Sequence, residues 1–255
     1  MRIAYLSAAL VALFTAPAVS PAFAQDMAMP FNGLYAGING GYDFSKNNVR
    51  TSGIAPANAA TVADGARPAL VKMDNEGFLG GVQLGRNWQM NQYVFGLETD
   101  AQYSDMRDTR NIVTTGTAFP GTRNNQFRQN MNWFGTTRAR LGYAWDNSMV
   151  YGTGGVAYGR LKETTNFSGP APASTQQFTS SYNTHTNFGY TVGAGFEQAL
   201  GDNFSVKTEY LYYDLGRSPV YSNVIAGSGG TGNGYLSSFN NKGQVVRVGI
   251  NYRMN

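Results

Sequence analysis

Cysteine is absent from this 255-residue chain, histidine occurs once, and charged residues make up only 13% of it. The missing thiols exclude disulfides and thiolate metal sites. Long hydrophobic runs are equally scarce. The one present covers residues 3–14. It is too short to cross a bilayer as a helix, which takes about 20 residues. Arg2 precedes that run and Ala22-Phe23-Ala24 follows it, so residues 1–24 are expected to be a cleaved export signal, with Gln25 the first mature residue. The alternative is a short membrane anchor. Mean hydropathy is −0.31, unlike that of a helical membrane protein. A barrel that alternates apolar and polar residues is compatible with that figure. An exported chain without disulfides needs another source of stability, and a closed ladder of backbone hydrogen bonds in lipid supplies one.

What is plentiful is glycine, with 32 residues, and aromatic side chains, at 13%. Eight segments alternate with period two, which predicts strands with two unlike faces. They cover residues 34–44, 76–88, 93–103, 132–145, 149–161, 187–200, 204–215 and 244–254. In the third, Tyr93, Phe95, Leu97, Ala101 and Tyr103 face one way, and Glu98, Asp100 and Gln102 the other. The fifth is glycine-rich, and Val150, Val156 and Tyr158 are assigned outward. A helical period would bury the charges with the aromatics.

Connections alternate as well. Residues 89–92, 146–148 and 201–203 are tight polar turns, whereas 45–75, 104–131, 162–186 and 216–243 read as long loops rich in Gly, Ser, Thr, Asn, Ala and Pro. Short turns on one side and long loops on the other are the periplasmic and extracellular ends of an outer-membrane barrel. The expected fold is therefore all-β: an eight-stranded antiparallel up-and-down transmembrane β-barrel over residues 34–255, with 25–33 a periplasmic lead-in. Aromatic girdles are expected at Trp88, Tyr93, Trp145, Tyr151, Phe204 and Tyr252 on the periplasmic side, and at Phe44, Phe78, Tyr103, Trp133, Phe188 and Tyr212 on the outer side. The competing fold is a soluble β-sandwich, which leaves the signal, girdles and turn asymmetry without a common cause.

Eight charges fall on inward mid-strand positions: Glu98, Asp100, Arg138, Arg140, Glu197, Lys207, Glu209 and Arg247. Four are acidic and four basic, so a structural salt-bridge network filling a narrow lumen is expected. The alternative is a small diffusion pore, with Gly37, Gly41, Gly81, Gly96, Gly193 and Gly195 leaving room for it. The long loops hold 11 basic and 5 acidic residues. Arg50, Arg67, Lys72, Arg107, Arg110, Arg123 and Arg128 are their main cations and the candidates for contact with lipopolysaccharide phosphates, against plain solvation. These cations are dispersed among Gly and Thr, a pattern that disfavours nucleic acid.

The strand motifs together resemble a known family. They include Gly77-Phe78-Leu79-Gly80-Gly81-Val82-Gln83-Leu84-Gly85 with Asn87-Trp88, Val94-Phe95-Gly96-Leu97-Glu98 with Asp100, Gly135 with Arg138, Arg140, Leu141 and Gly142, the fifth-strand segment 151–159, and the sixth-strand segment 191–197. Val206-Lys207-Thr208-Glu209-Tyr210-Leu211-Tyr212 and Val246-Arg247-Val248-Gly249-Ile250-Asn251-Tyr252-Arg253 complete the set. They resemble the alphaproteobacterial small outer-membrane β-barrel surface proteins, barrels similar to outer membrane protein A that include major surface antigens and haem-binding members. The resemblance implies an envelope structural protein and surface antigen, dependent on the barrel-insertion machinery. Two departures are Arg86, where the family tends to place an aromatic, and the ending Tyr252-Arg253-Met254-Asn255 without a terminal aromatic. Haem binding would have to use His185 with Tyr182, Tyr221 and Tyr235. No cofactor or metal is expected. His185 has only Thr184 and Thr186 beside it and no evident carboxylate partner, so no enzyme is expected.

Overall fold

The computed structural model describes residues 29–170, 175–180 and 183–254. The expected signal segment, residues 25–28 of the lead-in, Tyr182 and Asn255 lie outside them.

Eight strands form the ring: β1 (Gly33–Asp43), β4 (Gly77–Met90), β5 (Tyr93–Thr114), β6 (Arg123–Trp145), β7 (Ser148–Ser168), β9 (Asn183–Leu200), β10 (Phe204–Val224) and β11 (Tyr235–Met254). Each pairs antiparallel with the next, and β1 closes on β11 from Leu34↔Met254 to Asp43↔Val245. Closure leaves no membrane-level edge with unpaired amides, the condition for strands to cross lipid. The periplasmic turns are tight. Asn91 and Asp146 adopt positive φ, at 55° and 48°. Short polar turns between twisted strands require that geometry.

Outward residues form an apolar band. Ile38, Phe78, Val82, Leu97, Tyr103, Leu141, Phe188 and Ile250 are all exposed on the barrel surface. Hydrocarbon surrounds them there. Trp88, Tyr93, Trp145, Phe204 and Tyr252 mark the periplasmic rim of the band. Arg86 is outward too, and its guanidinium lies over the Trp88 ring at 5.4 Å. The cation thus snorkels to the interface. Tyr151 departs from the expected girdle. With Val150 outward, strand alternation turns it inward, where it is 4% exposed.

The segments read as long loops are largely strand. A membrane crossing uses about 9–11 residues, yet β5 has 22 and β6 has 23. Their outer halves continue the barrel into water. There β2 (Lys46–Gly53), β3 (Leu70–Asp74) and β8 (Gln176–Ser180) widen the wall, and a helix, α1 (Pro56–Ala63), folds across the first connection. β2 pairs with β11 and β3, while β8 bridges β7 and β10. Above the outer girdle the alternation changes sense. Met106, Met131, Phe127, Phe167, Val220 and Phe239 point inward and are buried, while Arg107, Arg128 and Pro219 face out. Water has replaced lipid as the surrounding medium, so the apolar residues now belong inside.

Candidate functional site

The lumen is stratified. At the periplasmic mouth Phe31, Val94, Ala144, Met149, Tyr151 and Ala199 form an apolar plug. Phe31 belongs to the lead-in, and its amide donates to Gln89 Oε1 at 3.1 Å. The charged layer comes next, followed by an apolar layer that includes Met106, Met131, Phe134, Leu161, Leu211 and Tyr213. A second polar layer surrounds Glu163. The extracellular cap closes the top with Val49, Met73, Phe127, Phe167, Phe178, Tyr235 and Phe239. Register along each strand fixes this order: on β10, Lys207 and Glu209 precede Leu211 and Tyr213, then Ser218, then Val220.

The charged layer brings together all eight inward charges. Glu98 is its hub, within 2.5 Å of Arg138 Nη2, 2.7 Å of Lys207 Nζ, and 3.5 Å of both Arg140 Nη1 and Arg247 Nη2. Glu209 receives Arg138 (2.8 Å) and Arg247 (2.5 Å), Asp100 receives Arg138 (3.2 Å) and Arg247 (3.0 Å), and Glu197 receives Arg140 (2.5 Å). Residues not expected in this layer complete it. Tyr35 OH donates to Glu98 (2.7 Å), and Tyr151 OH donates to Glu209 (3.1 Å) while its ring stacks under Arg140 at 3.9 Å. Ser205 and Asn251 donate to Glu197. Their signal in the sequence was parity alone: each shares the inward face of a strand that carries or adjoins a lumen charge.

Three of the inward glycines are closely faced by neighbouring side chains. A Cβ at Gly195 would overlap the Tyr151 ring, one at Gly37 would overlap the Asn251 carboxamide, and one at Gly41 would stand 2.6 Å from Arg247 Cβ. At these three positions side chains from neighbouring strands already occupy the space.

In the upper polar layer, Glu163 lies 3.7 Å from His185 Nε2 and accepts Gln129 Nε2 at 3.3 Å. His185 Nε2 also meets Ser218 Oγ at 3.0 Å. Ser218 and Glu163 thus approach the same imidazole nitrogen. Burial raises the Glu163 carboxyl from 4.5 to about 8, outweighing the hydrogen bonds from Ser218, Asn241 and Gln129 that favour its ionised form. The folded state therefore retains this proton where the unfolded chain has lost it. Stability falls as pH rises between about 4.5 and 8, then levels. Glu163→Gln should flatten that slope and stabilise the protein at pH 9 by on the order of 2 kcal/mol. Urea midpoints measured from pH 5 to 9 check this, and parallel pH curves for the two proteins would refute it.

The other expected site residues scatter. Tyr235 is buried in the cap and Tyr221 is exposed outside, so these two do not converge, and Tyr182 lies outside the described residues. Among the described residues no group of three or more His, Asp or Glu side chains is placed to hold a metal. Of the loop cations, Arg50, Lys72, Arg107 and Arg128 are exposed. Arg110 pairs with Asp74 (2.7 Å) and Asp108 (2.8 Å), and Arg123 donates to the carbonyls of Phe119 and Gly121. Arg67 corrects the surface expectation outright, being 2% exposed. Its guanidinium donates to Asn125 Oδ1 (2.8 Å) and Ser168 O (2.7 Å) among the rings of Phe167, Phe178 and Tyr235. The connection folds back into the mouth of the barrel, and this arginine is what it inserts.

A closed ring with an apolar belt and a self-paired ionic interior defines a bacterial outer-membrane β-barrel. The chain matches the outer membrane protein beta-barrel domain over residues 6–253 and belongs to that family. It is 36% identical over 236 residues to the 31 kDa outer-membrane immunogenic protein of Brucella melitensis, covering 92% of this chain and 88% of that one. It is also 36% identical over 138 residues to a 22 kDa outer membrane protein of Rhizobium leguminosarum bv. viciae, covering 54% of this chain and 53% of the relative. In fold it is similar to OprG from Pseudomonas aeruginosa, at TM-score 0.50 and 16% identity, covering 88% of this chain and 97% of OprG. The protein resides in the outer membrane.

Proposed function

We propose that this protein is a non-conducting, non-enzymatic structural barrel of the outer membrane. It displays a folded surface outside the cell and holds neighbouring phosphorylated glycolipid through outward cations. The observation that carries the reading is the stratified lumen. Three buried apolar layers alternate with two polar ones whose side chains are turned on each other. An ion entering would have to displace packed Phe, Met and Leu side chains at three levels. Arg50, Lys72, Arg107 and Arg128 remain outward on the water-exposed wall, and charge-assisted bonds to phosphate oxygens suit them. The Brucella relative's description as immunogenic fits surface display.

Planar-bilayer recording of the refolded protein should show no unitary conductance, and a deletion strain should become more sensitive to detergent. Discrete channel steps would overturn the sealed barrel. Unchanged detergent resistance would overturn the envelope role.

A further inference from the structure

The barrel wall is irregular at one place on the outer girdle. β1 leaves its ladder with β11 at Asp43↔Val245, and β2 resumes pairing with the same strand at Val49↔Phe239. Between these points the Phe44 amide donates to Gln244 O (2.9 Å) and the Lys242 amide donates to Asn47 Oδ1 (3.2 Å). On the other flank of β11, its register with β10 shifts between Asp214 and Arg217. The two irregularities leave a groove of about 610 Å³ lined by Phe44, Lys46, Glu76, Tyr212, Lys242 and Gln244.

Its two levels have different chemistry. Phe44 and Tyr212 belong to the aromatic girdle, where headgroups meet hydrocarbon. Lys46 stands two residues beyond Phe44, and Lys242 two residues beyond Gln244, the partner of Tyr212. Two residues of strand raise each lysine about 7 Å further from the membrane centre. Neither makes an ion pair among the described residues. Two carboxylates lie nearby: Glu76, which lines the groove and accepts Tyr42 OH at 3.4 Å, and Asp214, opposite Lys242 in register, which accepts the Gly216 amide at 2.8 Å; neither forms an ion pair with either lysine. Two ammonium groups without a carboxylate partner, set above two rings, match an anionic headgroup above an acyl chain.

We propose that this groove is a binding site for a phosphate of the outer-leaflet glycolipid. The Lys46 and Lys242 ammonium groups would take the phosphate oxygens, and Phe44 and Tyr212 would lie against the first acyl chain. Lysine suits the task because its compact charge on a flexible stem can follow a mobile headgroup. The assignment rests on the reading that outward cations hold glycolipid, and it adds a place that the loop arginines do not include.

Native mass spectrometry of the refolded protein titrated with diphosphoryl lipid A provides the test. The double variant Lys46→Gln/Lys242→Gln should bind about tenfold more weakly, while Arg160→Gln, which removes an exposed cation of β7 outside both the groove and the loop set, stays within about threefold of the parent. Both variants alter side chains outside the packed core, and unchanged melting temperatures would show that they fold. Loss of binding only when Arg50, Lys72, Arg107 and Arg128 are all replaced by Gln would overturn the groove and leave the broader reading intact. If lipid A does not bind the parent protein, or no variant weakens it, both fall. Equal affinity for lipid A without its phosphates, for phosphatidylglycerol or for inorganic phosphate would overturn the glycolipid assignment.

Discussion

Glu98→Ala should lower the unfolding free energy of the barrel by about 3–5 kcal/mol, the cost of breaking a buried ion pair from one side. Glu98 takes contacts from Arg138, Arg140, Lys207 and Arg247 and from the Tyr35 hydroxyl, and all of these groups are buried. Without it, four cations face Asp100, Glu197 and Glu209 alone, and one positive charge is left uncompensated where water cannot reach it. The effect is charge imbalance rather than lost volume, so Glu98→Gln should be nearly as damaging. The double variant Glu98→Gln/Lys207→Met should recover much of the loss, because it restores parity between cations and anions. A double-mutant cycle of urea midpoints in lipid vesicles reads the coupling directly. Additive losses would show that Glu98 and Lys207 act independently, contrary to the shared network.

The same charges fix the register. Sliding one strand by a single residue turns its inward set toward lipid. A Lys or Arg on the lipid face at the midplane costs about 2–4 kcal/mol. Slipping β6 would expose both Arg138 and Arg140, so the network excludes misregistered barrels as well as filling the native one.

Arg67→Ala should open the extracellular cap while leaving the membrane-level barrel intact. Its charged hydrogen bonds to Asn125 and Ser168 are worth about 1.5–3 kcal/mol each, and its contacts with three rings add up to about 2 kcal/mol where desolvated. No other guanidinium among the described residues enters that aromatic cluster. The expected result is faster hydrogen exchange and protease cleavage across residues 45–75, with urea unfolding of the membrane strands almost unchanged. Arg67→Lys should not rescue, because an ammonium cannot present the planar pair of donors that reaches Asn125 and Ser168 together. Protection equal to the parent in both variants would show that the cap is held by its apolar contacts alone.

How much of this was legible differs by height in the barrel. At membrane level the surrounding hydrocarbon forces oily residues out and charges in, so Glu98, Asp100, Arg138 and Arg140 announce their face by alternation alone. Tyr151 shows where that reasoning thins. In the glycine-rich β7 few side chains mark the phase, and an aromatic near a strand end was assigned to the girdle rather than to the lumen. Above the girdle a fixed rule of apolar outside hides the strands. Phe127, Gln129 and Met131 alternate with Arg128 and Asn130 as regularly as any membrane segment, with the opposite sense.

The amino-acid sequence by itself determined the closed eight-stranded ring, the side of each membrane-level charge and the balance of four acids with four bases. Those features depend on period two and on the two media that the strands meet. Tertiary structure alone decided which charges touch, that Arg67 turns into the mouth, that Glu163 is buried beside His185, and that a groove opens beside Lys46 and Lys242. Those outcomes depend on cross-strand register and on ladder irregularities, which set heights and distances between residues far apart in the chain. Local alternation carries no record of either.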